Sequence, residues 1–139
     1  MLFGIGHDIV NIKRIEVLLA KYGERLIQKI LSPLEQELIT KVTYPAMFIS
    51  KRFAAKEAFA KACGTGLRSP IQLQHISIIN DNLGKPDLDF SPQIKTWLSN
   101  RGITSCYLSL SDEIITEQNT HPFKLEKASL ALAHNGNLT

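Results

Sequence analysis

Apolar residues alternate along Leu2–Val10, a run of small and β-branched residues that predicts a strand with Gly4 and Gly6 on one face. Glycine inside a strand marks close approach by another backbone or by a ligand. Asn11 is a capping residue type, and after it the period changes. Ile12, Ile15, Leu18, Leu19 and Tyr22 fall at helical spacing and predict a helix over Ile12–Tyr22. Gly23 interrupts it, and Glu24–Leu31 resumes with Leu26, Ile27, Ile30 and Leu31 apolar. Ser32-Pro33-Leu34-Glu35 is a helix start, with Ser32 as cap, Pro33 at the first turn and Glu35 able to close a capping box. That helix is expected to run to about Val42. Pro45 opens the longest helix, Ala46 to Cys63, which is rich in alanine and stops at Gly64.

The second half changes character. Gln72–Asn80 alternates around Ile76, Ile78 and Ile79, Asp81-Asn82-Leu83-Gly84 is a turn, and Lys85–Phe90 returns, which together predict a hairpin. Ser91-Pro92 starts a short helix to about Asn100. Thr104–Ser111 and Lys127–Ala133 alternate like strands, and Glu113–Phe123 reads as a polar loop. Helices cluster early and strands late. The expected class is therefore α+β, with the helices of the first half packed on an antiparallel sheet. At 139 residues the chain is one domain, 1–139.

Composition narrows the class of protein. With 44% hydrophobic and 21% charged residues, wholesale disorder is excluded. No apolar run approaches the ~18 residues of a bilayer span, so no membrane association is expected. Cys63 and Cys106 form no CxxC pair and read as buried apolar residues, without zinc spacing. MLFGIGHDIV has no basic segment and meets Asp8 early, unlike a secretory signal, so the expected location is cytoplasmic. The net charge of +3 is uneven. Residues 1–68 carry 11 basic and 6 acidic side chains, whereas residues 69–139 carry 5 and 7. That asymmetry points to an anionic partner of the first half.

The candidate chemistry lies in the same half. On a helix Phe53, Glu57 and Lys61 share one face, and Arg52 and Lys56 share an adjacent one. Glu57 and Lys61 are either an exposed ion pair, worth ~0.2–0.5 kcal/mol, or part of a site. The helix runs into Gly64-Thr65-Gly66, a loop whose backbone can approach a ligand. Several cations with one carboxylate suit a phosphate ester chelated to Mg²⁺, which takes one or two protein carboxylates. Asp8 is the candidate second carboxylate, an acid in an apolar strand. Its alternatives are capping the next helix or pairing with Lys13 or Arg14. Arg14, Leu18, Lys21 and Arg25 fall near one stripe. This is either a solvated face or a docking surface for an acidic partner helix centred on Leu18. His7 reads as a surface residue rather than a ligand.

These segments resemble a known family. Gly4-Ile5-Gly6-His7-Asp8-Ile9-Val10, then Arg52 through Ala62 followed by Gly64-Thr65-Gly66, and Gly84-Lys85-Pro86 are similar to three motifs of the holo-acyl-carrier-protein synthases. These are the short type of 4′-phosphopantetheinyl transferase, and the match spans about residues 2 to 112. The resemblance implies a 4′-phosphopantetheinyl transferase-like fold. It also implies transfer of phosphopantetheine from coenzyme A to a serine of apo acyl carrier protein, with Mg²⁺ and release of adenosine 3′,5′-bisphosphate, in support of fatty acid biosynthesis. Asp8 and Glu57 match the metal carboxylates, and Lys61 the pyrophosphate-contacting lysine. Arg52, Lys56, Gly64, Thr65, Gly66, Lys85 and Pro86 are the further candidates for coenzyme A. Arg14, Leu18, Lys21 and Arg25 match the carrier-docking surface. The serine proton is expected to pass to Glu57 or to water on the metal. A homotrimer with the active site between subunits is also implied, and Gly4, Gly6 and the late strands are candidate close interfaces.

Two positions depart from the pattern. His7 stands where an aliphatic residue or Thr is expected, and Asp112 where many members have His. His7 either perturbs the metal site or points away. Asp112 either meets metal-bound water or pairs with a nearby Arg. The competing readings are a nucleic-acid-binding domain using the basic half and a Mg²⁺-dependent nucleotide hydrolase. No RRM, KH or zinc-finger signature supports the first, so no nucleic-acid partner is expected. A docking helix for a protein distinguishes the transferase from the hydrolase.

Overall fold

The computed structural model describes residues 1–115 and 123–134. In chain order the elements are β1 (Leu2–Asn11), α1 (Ile12–Tyr22), α2 (Glu24–Ile30), α3 (Pro33–Ile39) and α4 (Pro45–Cys63). A single 3₁₀ turn (Leu73–His75) leads into β2 (Ile76–Asn80), β3 (Pro86–Phe90), α5 (Pro92–Asn100), β4 (Ile103–Ile115) and β5 (Phe123–His134). Strands β1, β5 and β4 form an antiparallel sheet in that order, and β2 and β3 form a separate hairpin. Helix and antiparallel sheet are thus mixed as α+β.

The packing of β1 on α4 places everything that follows. A Cβ added to Gly6 would lie 2.0 Å from the carbonyl oxygen of Ala58, and one on Gly4 would lie 2.0 Å from that of Ala62. Both glycines therefore serve contact between strand and helix within one chain. This corrects the expectation that they line an interface between subunits. Ala54, Ala55, Ala58 and Ala62 are buried and keep the helix slim where the sheet meets it. Phe59 reaches the other sheet, with its ring centroid 4.8 Å from that of Phe90. Val10, Ile15, Leu130 and Leu132 close the core between the sheet and the early helices.

The caps form as the sequence predicts. The Asn11 side chain accepts from the Lys13 N–H at 2.9 Å, and Ser32 and Glu35 close a capping box at α3. Helix α3 ends at Ile39 instead of Val42; Thr40, Val42 and Thr43 are β-branched and resist continuation. Strand β2 begins only at Ile76, because Leu73–His75 winds into the 3₁₀ turn.

The late strands are longer than their alternation suggests. The predicted polar loop Glu113–Phe123 is strand at both ends, and its remaining residues, 116–122, lie outside the described region. Cross-strand charge supports this arm: Lys127 pairs with Glu113, and Lys124 lies 4.0 Å from Asp112. The sheet face turned away from α4 leaves Ile5, Ile9 and Tyr107 63%, 55% and 48% exposed.

Candidate active site

Strand alternation turns Asp8 to the same side as Gly6, toward α4, and turns His7 to the opposite, exposed face. Lys61 stands in the last turn of α4. Its Nζ donates to Asp8 Oδ1 at 2.8 Å and to the His7 carbonyl at 3.2 Å. Of the three alternatives for Asp8, capping falls to Asn11, and Lys13 and Arg14 are not its partners. The partner of Lys61 is accordingly a strand carboxylate 53 residues away, not Glu57 on its own helix.

Glu57, one helical turn before Lys61, is half-buried beside Asp8. Burial first, and then the Asp8 charge, hold its carboxyl above the ordinary glutamate range, while Lys61 opposes the shift. Two neighbouring carboxylates, one of them held above its ordinary range, are a hard-oxygen donor pair suited to a cation. Among the described residues no third His, Cys, Asp or Glu joins them. That donor set fits Mg²⁺, which binds through one or two carboxylates and completes its shell with water and phosphate oxygens. It does not fit a fully protein-ligated site such as structural zinc.

Asp8 and Glu57 both line a cavity of about 530 Å³. Phe53, Ile15, Leu26, Ile30, Leu73 and Leu125 supply apolar wall, and Arg14, Leu18 and Lys29 also line it. A second groove, lined by Leu18, Tyr22, Arg25, Leu26 and Lys29, continues from it over the α1–α2 corner. Gly23 breaks the helix there with φ 53°, and the break lets both helices border one groove. Arg14, Leu18 and Arg25 therefore fall where the stripe predicts. Lys21 lines neither cavity; its ammonium lies 5.3 Å from the centroid of the Tyr22 ring.

Other expected residues do not reach this corner. Gly64, Thr65 and Gly66 follow directly after α4, with the Thr65 hydroxyl donating to the Gly66 carbonyl, and they line none of this cavity. Lys85 and Pro86 lie at the β2–β3 turn, where the Lys85 N–H donates to Asp81. Asp112 meets Lys124 rather than an arginine, and lies on β4 outside the cavity wall.

Arg52 and Lys56 require a correction. They were expected to face coenzyme A, but both turn into the core. Lys56 is fully buried, with its Nζ bonded to Glu35 and to the carbonyls of Ile30 and Leu73 at 2.8 and 3.0 Å. Arg52 Nε lies 3.3 Å from Glu35, Nη2 donates to the Ile78 carbonyl, and the guanidinium stacks on Phe48. Their charges answer Glu35, not a ligand. Burial pulls Lys56 down to about 8 against the opposing pull of Glu35. Sequence reasoning also passed over Lys29, Leu26, Leu73 and Leu125. Lys29 carried a readable signal, since it lies four residues beyond Arg25 on the docking stripe.

Residues 4–122 match the model of the 4′-phosphopantetheinyl transferase superfamily. The chain is 51% identical over 114 residues to the holo-[acyl-carrier-protein] synthase of Nitrosospira multiformis, covering 82% of this chain and 91% of that one. Its fold is similar to the crystal structure of the Neisseria meningitidis holo-[acyl-carrier-protein] synthase. The TM-score is 0.84 at 38% identity, over 96% of this chain and 99% of that one. A Bacillus anthracis synthase solved in complex with CoA (3′,5′-ADP) matches with TM-score 0.67 at 31% identity, over 95% of this chain and 96% of that one.

Proposed function

The chain belongs to the 4′-phosphopantetheinyl transferase superfamily, among the holo-[acyl-carrier-protein] synthases, and we propose that it transfers phosphopantetheine from coenzyme A to a serine of apo acyl carrier protein where Asp8, Glu57 and Lys61 meet. One observation carries the assignment: Asp8 and Glu57, with Lys61 bonded to Asp8, line a largely apolar cavity whose wall also carries Arg14, Leu18 and Lys29. The pyrophosphate of coenzyme A needs the first feature, and its pantetheine arm together with an acidic carrier needs the second.

Asp8 and Glu57 would hold Mg²⁺, which supplies neutralisation of the pyrophosphate charge. Lys61, already at the edge of the pair, binds a phosphate oxygen as charge moves onto it. The serine oxygen forms a bond to the β-phosphorus, and the bond from that phosphorus to the bridging oxygen breaks. The electron pair leaves with adenosine 3′,5′-bisphosphate, and the serine proton passes to Glu57 or to water. The phosphoryl group needs positioning and charge stabilisation more than covalent help. Arg14, Arg25 and Lys29 steer the acidic carrier onto the groove, with Leu18 and Leu26 as its apolar floor. Lys21 adds charge beside it.

We also assign the uncovered sheet face, with Ile5, Ile9 and Tyr107, to contact between copies of this chain in a homotrimer. The product supports fatty acid biosynthesis. No helix among the described residues is long and apolar enough to cross a membrane.

The test is incubation with apo acyl carrier protein, coenzyme A and Mg²⁺. The expected result is a carrier heavier by one phosphopantetheine, with equimolar adenosine 3′,5′-bisphosphate. Hydrolysis of coenzyme A with the carrier mass unchanged would show a nucleotide hydrolase instead.

A further inference from the structure

Lys56 immediately precedes Glu57 on α4, yet its side chain enters the core and touches no surface a substrate can reach. An ammonium has three N–H donors, and here three separate groups accept them: the Glu35 carboxylate, the Ile30 carbonyl and the Leu73 carbonyl. Two of the three belong to residues that line the cavity with Asp8 and Glu57. Ile30 ends α2, Leu73 lies in the 3₁₀ turn, and Glu35 lies in the first turn of α3. All three converge on this nitrogen, although Leu73 lies far along the chain from Ile30 and Glu35. Glu35 extends the connection, because its other oxygen accepts from the Ile78 N–H at 2.8 Å and faces Arg52.

An apolar side chain of similar size fills the same volume but does not fix the direction of two carbonyls. An ammonium with three acceptors does. We infer that Lys56 is a positioning residue for the transfer reaction: it fixes the Ile30–Leu73 wall at a set distance from the helix that carries Glu57, and thereby sets the fit of the pantetheine arm of coenzyme A. The inference rests on the reading of the cavity as the transfer site. Arg52 belongs to the same buried network but bonds only Glu35 and Ile78, neither of which lines the cavity. It therefore separates positioning from bare stability.

The test compares two ligands, coenzyme A and adenosine 3′,5′-bisphosphate, which lacks the arm, by titration calorimetry in the presence of Mg²⁺. The double variant Glu35→Gln/Lys56→Met removes this ion pair and leaves Arg52 to the Ile78 carbonyl and the Phe48 ring. Its folding is checked by a cooperative thermal melt. Coenzyme A affinity is expected to fall about tenfold, with affinity for adenosine 3′,5′-bisphosphate unchanged and KM for coenzyme A rising more than kcat falls. Arg52→Met is expected to lower the melting temperature while leaving coenzyme A affinity as in the wild type.

If the double variant does not fold, Lys56→Arg replaces it with the same expectation; it keeps the charge opposite Glu35 but moves the donors outward. Wild-type coenzyme A affinity in the folded variant overturns the positioning role and leaves Lys56 a matter of stability. Equal weakening of both ligands overturns it too, since the arm is then not what the wall reads. Failure of the wild-type chain to bind coenzyme A or modify the carrier is a different result and counts against the transfer site itself.

Discussion

Gly6→Ala tests whether the site depends on the closeness of β1 to α4. The added methyl would sit 2.0 Å from the Ala58 carbonyl oxygen and 2.7 Å from the Ala62 nitrogen. Both are backbone atoms of a buried helix, so no side chain can rotate out of the way. Relief to an ordinary contact of ~3.5 Å requires strand and helix to part by roughly 1.5 Å. Asp8 lies two residues further along the same strand, and its carboxylate is 2.8 Å from Lys61 on that helix. A separation of that size breaks the ion pair and spreads Asp8 from Glu57. Overpacking costs ~1–3 kcal/mol, and a misplacement of ~1 Å costs ~10²-fold in rate. The variant should thus melt several degrees lower and lose about two orders of magnitude in kcat/KM for carrier modification at a temperature where it is folded. Gly4→Ala meets Ala62 with the same severity but lies four residues from Asp8, so it should lose similar stability and less activity. A Gly6→Ala protein with wild-type melting temperature and kcat/KM would refute the claim that these glycines hold the carboxylates in place.

Glu57→Gln should abolish carrier modification by ~10²-fold or more and remove the thermal stabilisation that Mg²⁺ gives the wild type; retained turnover would place the metal elsewhere. Glu126 is buried, neither oxygen has a hydrogen-bond partner, and burial holds its carboxyl above the ordinary range. The folded state then binds more protons than the unfolded one, so this group's contribution to stability falls as pH rises from the unfolded glutamate pKa through the raised one. Glu126→Gln should remove that decline and raise the melting temperature at neutral pH; an unchanged melting curve would show that the carboxylate is satisfied. Arg14→Glu and Lys29→Glu should each raise KM for the carrier about tenfold at low salt, with KM for coenzyme A unchanged and the difference shrinking as salt is added. Tyr107→Lys on the uncovered sheet face should convert a trimer to monomers in sedimentation, and an unaltered trimer would assign that face another role.

The elements were legible wherever local chemistry fixes them. Asn11 and Ser32 cap as their side chains dictate, Gly23 and Gly64 interrupt and end helices, and the alternation in β1 turns Asp8 inward and His7 outward. The hairpin arm was less legible. Its strands pair through the backbone ladder, with Lys127–Glu113 and Lys124–Asp112 facing across it, and an alternation of charge with charge carries no hydrophobic period.

The candidate site was legible as a set of residue types and illegible as a set of directions. Helical spacing shows that Arg52 and Lys56 lie beside Glu57, but not which way that neighbouring face turns. Helix α4 is surrounded by β1, β2, β5, α1 and α2, so it has no simple polar and apolar side from which a reader could choose. Only packing decided that Lys56 faces Glu35 within the core while Lys61 reaches Asp8 at the surface. By itself the sequence determined the carboxylates, the slim helix and the glycines that admit it. The tertiary structure decided which cations turn into the core and which reach the Asp8–Glu57 corner. Burial and pairing depend on segments far apart along the chain, and those distances appear only once the chain is folded.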